Sequence, residues 1–119
     1  MRRKPGAVLP IEVSILESAI TLRMQGAAEF YGYLLASAMK ERESSRTLTA
    51  HGTLYKALDR MEKAKLVESR WEDPLVAATQ ERPRRRMYHV TLEGETALAG
   101  ALATRAALAV SFHAGAQPA

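Results

Sequence analysis

Four arginines within five residues, Arg82, Arg84, Arg85 and Arg86, form the densest chemistry-bearing group in the chain. A guanidinium donates two hydrogen bonds from one planar fork, which suits phosphate oxygens and the narrow minor groove of DNA. Runs of charge are more often merely solvated, so the weight of this one depends on its neighbours. Upstream, Thr53, Lys56, Arg60 and Lys63 recur at steps of three and four, which places them on one face of a helix. A polar, basic helix face followed by an arginine cluster supplies two devices for gripping one polyanion. Other chemistries find little support. His51, His89 and His113 lack metal-ligand spacing, and there is neither a Gly-rich phosphate loop nor a G-x-S-x-G elbow. With no cysteine, there is no disulfide framework and no thiolate metal site. An enzyme is not expected, and no cofactor or metal is expected.

The totals agree with a polyanion partner without proving one. The 119 residues carry a net charge of +4 and a pI near 9.7, a basic balance that many small proteins share. That length suits one domain with an ordinary core. Met1-Arg2-Arg3-Lys4 looks like the charged start of an export signal, but Pro5, Gly6 and Pro10 interrupt the next stretch and Glu12 ends it. No apolar run approaches the length of a membrane span, so no membrane partner is expected and the cytoplasm is the expected compartment.

Positioning these groups requires a particular order of elements. Arg2 to Pro10 reads as a basic N-terminal arm, either solvated or resting on phosphates. From Ile11 to Gln25, the residues Ile15, Leu16, Ala19, Ile20 and Met24 share a helical face, with Glu12, Glu17 and Arg23 off it and Gly26 as a stop. A second helix is predicted from Tyr31, Leu34, Leu35, Ala38 and Met39 at i, i+3, i+4, i+7 and i+8. Its Gly32 implies close packing. Tyr31 and Tyr33 are open between core packing and offering hydroxyls to a phosphate backbone. Glu43 to Thr47 reads as a short loop, and Thr49 as the N-cap, or alternatively Ala50 as the boundary residue, of a third helix running to Ala64, with Leu54, Leu58 and Met61 inward. The second and third helices then make a helix-turn-helix, whose second member points His51, Gly52, Thr53 and Lys56 into the major groove.

After Lys65 the period becomes two. Val67, Ser69 and Trp71 alternate with Glu68, Arg70 and Glu72, and Tyr88 and Val90 alternate with Met87 and His89, which predicts a two-stranded hairpin with the arginines near its tip. Leu75 to Glu81 is too irregular to assign. Thr91 caps a last, alanine-rich helix over Leu92 to Phe112, with Glu93 and Glu95 in its first turn. Leu98, Leu102, Ala109 and Phe112 trace an apolar seam interrupted by Arg105, while Ala101 and Leu108 widen it. A small domain cannot readily cover so wide a stripe. These seven residues are therefore expected at a homodimer interface, the alternative being a monomeric helix lying on its own domain.

The resulting expectation is an α+β, mostly α chain, a winged helix-turn-helix. It comprises a basic arm over 1–10, a DNA-binding domain over 11–91, a dimerisation helix over 92–113 and a disordered tail over 114–119. Double-stranded DNA is the expected partner, with His51, Gly52, Thr53, Tyr55, Lys56, Arg60, Tyr33, Arg82, Arg84, Arg85 and Arg86 as the contacting set. The alternative is a winged-helix module that binds protein instead of DNA.

The run His51-Gly52-Thr53-Leu54-Tyr55-Lys56-Ala57-Leu58-Asp59-Arg60-Met61-Glu62, continuing through Leu66-Val67-Glu68-Ser69-Arg70-Trp71-Glu72, resembles the recognition helix and first wing strand of PadR-type transcriptional regulators. Arg82-Pro83-Arg84-Arg85-Arg86-Met87-Tyr88-His89-Val90-Thr91, with Glu93-Gly94 after it, resembles their basic wing return and the T-x-E-G opening of the last helix. Gly32-Tyr33 resembles the G-Y of helix two. The single helix after the wing resembles the short-tailed branch. The pattern departs at Lys56, where many members have proline, and at Ala64-Lys65 and Glu81, where glycine is common. Phe30-Tyr31 replaces a frequent histidine. The resemblance implies a homodimeric repressor on a palindromic operator, dimerised through its C-terminal part and released by a small aromatic or drug-like effector. Trp71, Met87, Tyr88 and Phe112 are candidates to line an effector cavity at the dimer interface, with ordinary core packing as the alternative.

Overall fold

The structure, a computed structural model, describes residues 7–42 and 51–116, without the side chains of residues 51 and 111–116. Among the described residues, five helices and two strands run in the order α1 (Pro10–Met24), α2 (Gly32–Arg42), α3 (His51–Lys63), β1 (Val67–Trp71), α4 (Pro74–Thr79), β2 (Arg86–Val90) and α5 (Leu92–Ala116).

Helix α1 lies at the centre, packed against α2, α3, β2 and α5. Pro10, expected in the arm, is instead the first residue of α1, where its missing N–H leaves no intrahelical bond unmade. Ile15, Leu16 and Ala19 are buried as the spacing predicts, but Met24, at 82% exposed, lies outside the core. Glu12, placed off the apolar face, is completely buried. It sits in the first turn of α1 and accepts from the Leu9 backbone N–H at 3.1 Å. In helix α3, Leu54, Leu58 and Met61 are all fully buried. The turn expected at 43–47 and the Thr49 cap lie outside the described residues.

The strands pair antiparallel with Val67 opposite Val90, Ser69 opposite Tyr88 and Trp71 opposite Arg86. Opposed residues share a face, so Val67 and Tyr88 bury against the helices while Arg70 and Met87 occupy the other side. Phe30 adds a backbone bridge on the free edge of β2, exchanging hydrogen bonds of 2.9 and 2.8 Å with Tyr88. The two rings stack with centroids 5.8 Å apart. The unassigned Leu75–Glu81 stretch contains α4, capped by Asp73, whose carboxylate accepts from Leu75 N at 2.8 Å.

Thr91 opens α5 as expected, its hydroxyl oxygen accepting from Gly94 N at 3.0 Å. A Cβ at Gly94 would stand 2.2 Å from the carbonyl oxygen of Leu66, so that close approach requires glycine. Arg23 of α1 pairs with Glu95 at 2.6 Å and fixes the base of α5. Leu98 is buried in the domain core and Ala101 and Leu102 are half-buried against it, whereas Leu108 and Val110 are 66% and 70% exposed. The helix therefore projects beyond the domain, giving extents of 67 × 30 × 28 Å. It continues through Ala116, past the expected end near residue 113.

Candidate nucleic-acid interface

Helical geometry divides the surface of α3 into three strips. With the core residues inward, Thr53 and Arg60 lie on the flank nearest α1, Lys56 and Lys63 on the outward crest, and Tyr55, Asp59 and Glu62 on the flank nearest the hairpin. Gly52, Thr53, Lys56 and Lys63 are exposed. Arg60 is turned aside, its Nε 3.6 Å from the buried carboxylate of Glu12.

The wing-side flank, the start of α2 and the hairpin enclose an open cleft of about 670 Å³ lined by Tyr31, Tyr33, Tyr55, Asp59, Trp71 and Arg84, with Arg85, Arg86 and Tyr88 completing it. Gly32 also lines it, and a Cβ there would meet the Tyr55 hydroxyl at 2.2 Å, so the missing side chain makes room for the ring. Tyr33 projects outward, and Tyr31 is half-buried beneath Arg85. Asp59 places a carboxylate among these cations, a feature that counting basic residues overlooked.

The four arginines differ in role. Arg82 is held by Glu72 through a two-pronged pair at 2.6 and 2.8 Å and is largely buried, so it fastens the wing. Glu72 also accepts from the Arg85 N–H, at 3.3 Å, and its carbonyl accepts from Arg84 Nε at 2.8 Å. The hydrogen-bonded Arg82 guanidinium holds the Glu72 carboxyl at about 2, well below its ordinary 4.5. Arg86 donates from Nε to Ser69 Oγ at 3.1 Å and lies 3.4 Å from Glu62, tying wing to recognition helix. Among the described residues, Arg84 and Arg85 have no side-chain partner for their terminal nitrogens, and Arg84 is exposed. Their free forks face the cleft that Tyr55 and Asp59 line from α3.

A family model described as the PadR-like family of transcriptional regulators matches residues 22–100, which run from α1 into α5. The chain belongs to that family. Transcriptional regulators of known structure share the fold. A transcriptional regulator from Clostridium thermocellum has a TM-score of 0.68 at 19% identity, with 90% of each chain covered. A PadR family regulator from Clostridium difficile R20291 is 26% identical, with a TM-score of 0.63 over 88% of this chain and 98% of that one. Bacillus subtilis PadR, solved in complex with operator DNA, has a TM-score of 0.61 at 19% identity and covers 78% of this chain and 46% of that longer one. A search of curated proteins gave no match.

The four residues expected to line an effector cavity at a dimer interface, Trp71, Met87, Tyr88 and Phe112, are placed differently in the fold. Trp71 and Tyr88 reach the cleft, but Met87 is on the opposite face of the hairpin, and Tyr88 is consumed by stacking on Phe30. The Phe112 side chain lies outside the described residues. Among the described residues no group of histidines and carboxylates could hold a metal, and no helix is long and apolar enough to cross a membrane.

Proposed function

We propose that this PadR-like regulator binds duplex DNA with α3 in the major groove and the wing arginines on the flanking backbone. The observation that carries the reading is the cleft in which α3 and the free forks of Arg84 and Arg85 face one space. Thr53, Lys56 and Lys63, exposed along α3, are the base-reading and phosphate-contacting side chains, and Arg84 and Arg85 the wing contacts. Arg60 and Arg82 support the interface through Glu12 and Glu72 rather than touching DNA.

The regulator acts as a homodimer joined through the outer half of α5, on a palindromic operator whose symmetry mirrors its own, and represses the genes it covers. Exposed Leu108 and Val110 on the outer half of α5 support the dimer. Release by a flat aromatic effector is supported by the ring faces of Trp71, Tyr33 and Tyr55 beside Arg84 in the same cleft.

Selection of bound fragments from the host's genomic DNA tests the reading. Recovery of an inverted repeat with half-sites about one helical turn apart is the expected result. Recovery of no fragment above background would refute it and favour the protein-binding module.

A further inference from the structure

The guanidinium carbon of Arg85 lies over the Tyr31 ring, 3.9 Å from its centroid. Trp71, which also lines the cleft, has Arg84 at 5.9 Å and Arg86 at 5.5 Å from its ring centroid. Trp71 is large and apolar, yet 53% exposed and outside the core, so packing does not explain its position. Tyr31 precedes α2 and Trp71 ends β1, so the two rings belong to separate, rigidly anchored parts of the fold. A long, free arginine loses rotamer freedom when a phosphate captures it. A guanidinium already resting on a ring face has given up much of that freedom, while its edge-on N–H groups stay available.

We propose that Tyr31 and Trp71 are positioning residues for DNA binding, Tyr31 holding the guanidinium of Arg85 and Trp71 that of Arg84 in place before a phosphate arrives. The proposal rests on the duplex-binding reading above. It assigns Tyr31 and Trp71 to aiming the cations, with no contact to DNA required of the Tyr31 hydroxyl. The salt dependence of binding counts phosphates neutralised, whereas pre-setting changes the affinity at fixed count. These two quantities separate a positioning role from a contact.

The test uses the full chain and a mixed-sequence duplex at low and raised salt, with Tyr31→Phe, Tyr31→Leu, Trp71→Phe and Trp71→Leu, each checked for an unchanged thermal transition. Each leucine variant is expected to bind about three- to tenfold more weakly with the wild-type salt slope, and each phenylalanine variant to recover most of the loss. In an Arg85→Ala background, Tyr31→Leu should have no further effect. Tyr31→Phe as weak as Tyr31→Leu would show that the hydroxyl, not the ring, matters and would overturn the proposal. So would leucine variants that bind like wild type, or losses that add in the double variant. Trp71 is the only tryptophan, so its emission in the free protein should shift with Arg84→Ala and Arg86→Ala. Unchanged emission would count against the contact. Failure of the wild-type chain to bind the duplex at either salt would remove the duplex-binding reading itself, and this proposal with it.

Discussion

Lys65 and Glu81 adopt the left-handed backbone region, with φ of 65° and 53°. Both stand where PadR-type sequences commonly carry glycine, and a side chain with a Cβ meets the following carbonyl there. Lys65 ends the turn from α3 into β1, where Leu66 N donates to Met61 O at 2.9 Å. Glu81 ends the turn after α4, where Arg82 N donates to Ala77 O at 3.1 Å. The hydrogen bonds hold each conformation despite its intrinsic cost. Lys65→Gly and Glu81→Gly should therefore each stabilise the fold by about 0.5–1 kcal/mol in chemical denaturation. Loss of stability in either variant would show that the side chain contributes more than its backbone strain costs. At this scale the sequence revealed the unusual positions, through the departures from glycine, but not the partners of the arginines. Arg82 and Glu72 are separated by the whole of α4, and nothing in local spacing announces their pairing.

The wing owes its shape to Glu72, which gathers Arg82, the Arg85 N–H and, through its carbonyl, Arg84. Its pKa is depressed from 4.5 to about 2, chiefly by the hydrogen bonds from Arg82, so the folded wing favours the ionised form. The stabilisation is fully present above pH 4.5 and is lost as the pH falls through 2. Amide protection over Gln80–Arg85, taken relative to the intrinsic exchange rate at each pH, should hold down to about pH 4 and fall below it, whereas Glu72→Gln should show the reduced protection at every pH. Equal exchange in the two proteins at neutral pH would contradict the clasp. Among elements, α1, α3 and both strands were legible because periods of 3.6 and 2 each persist over several residues. Helix α4 was not. Its six residues complete fewer than two turns, and Leu75 and Val76 are exposed side by side, so no apolar period marks it. The buried Glu12 was also missed, because a first-turn carboxylate reads as solvent-facing until α3 brings Arg60 against it.

For the whole molecule, α5 joins two tasks that one apolar seam concealed. Its first turns finish the domain core at Leu98, and its outer half leaves Leu108 and Val110 exposed. The sequence showed more apolar surface than a small domain covers; where own core gives way to free surface emerged only once α1 was in place beside α5. Leu108→Glu should leave the thermal transition of the domain intact but convert a dimer to a monomer in sedimentation, and weaken binding to a two-half-site operator far more than to a single half-site. A wild-type chain already monomeric at micromolar concentration would exclude the C-terminal dimer. The most direct measurement of the central claim, that α3 and the wing hold one duplex together, is affinity for a mixed-sequence duplex across a salt series. It should be made for wild type, Lys56→Ala/Lys63→Ala and Arg84→Ala/Arg85→Ala. Each double variant should bind more weakly, with its slope of log affinity against log salt shallower by about one unit per lost phosphate contact. A wild-type slope retained in either double variant would mean that its element does not touch the DNA backbone, and the two-element grip would be wrong.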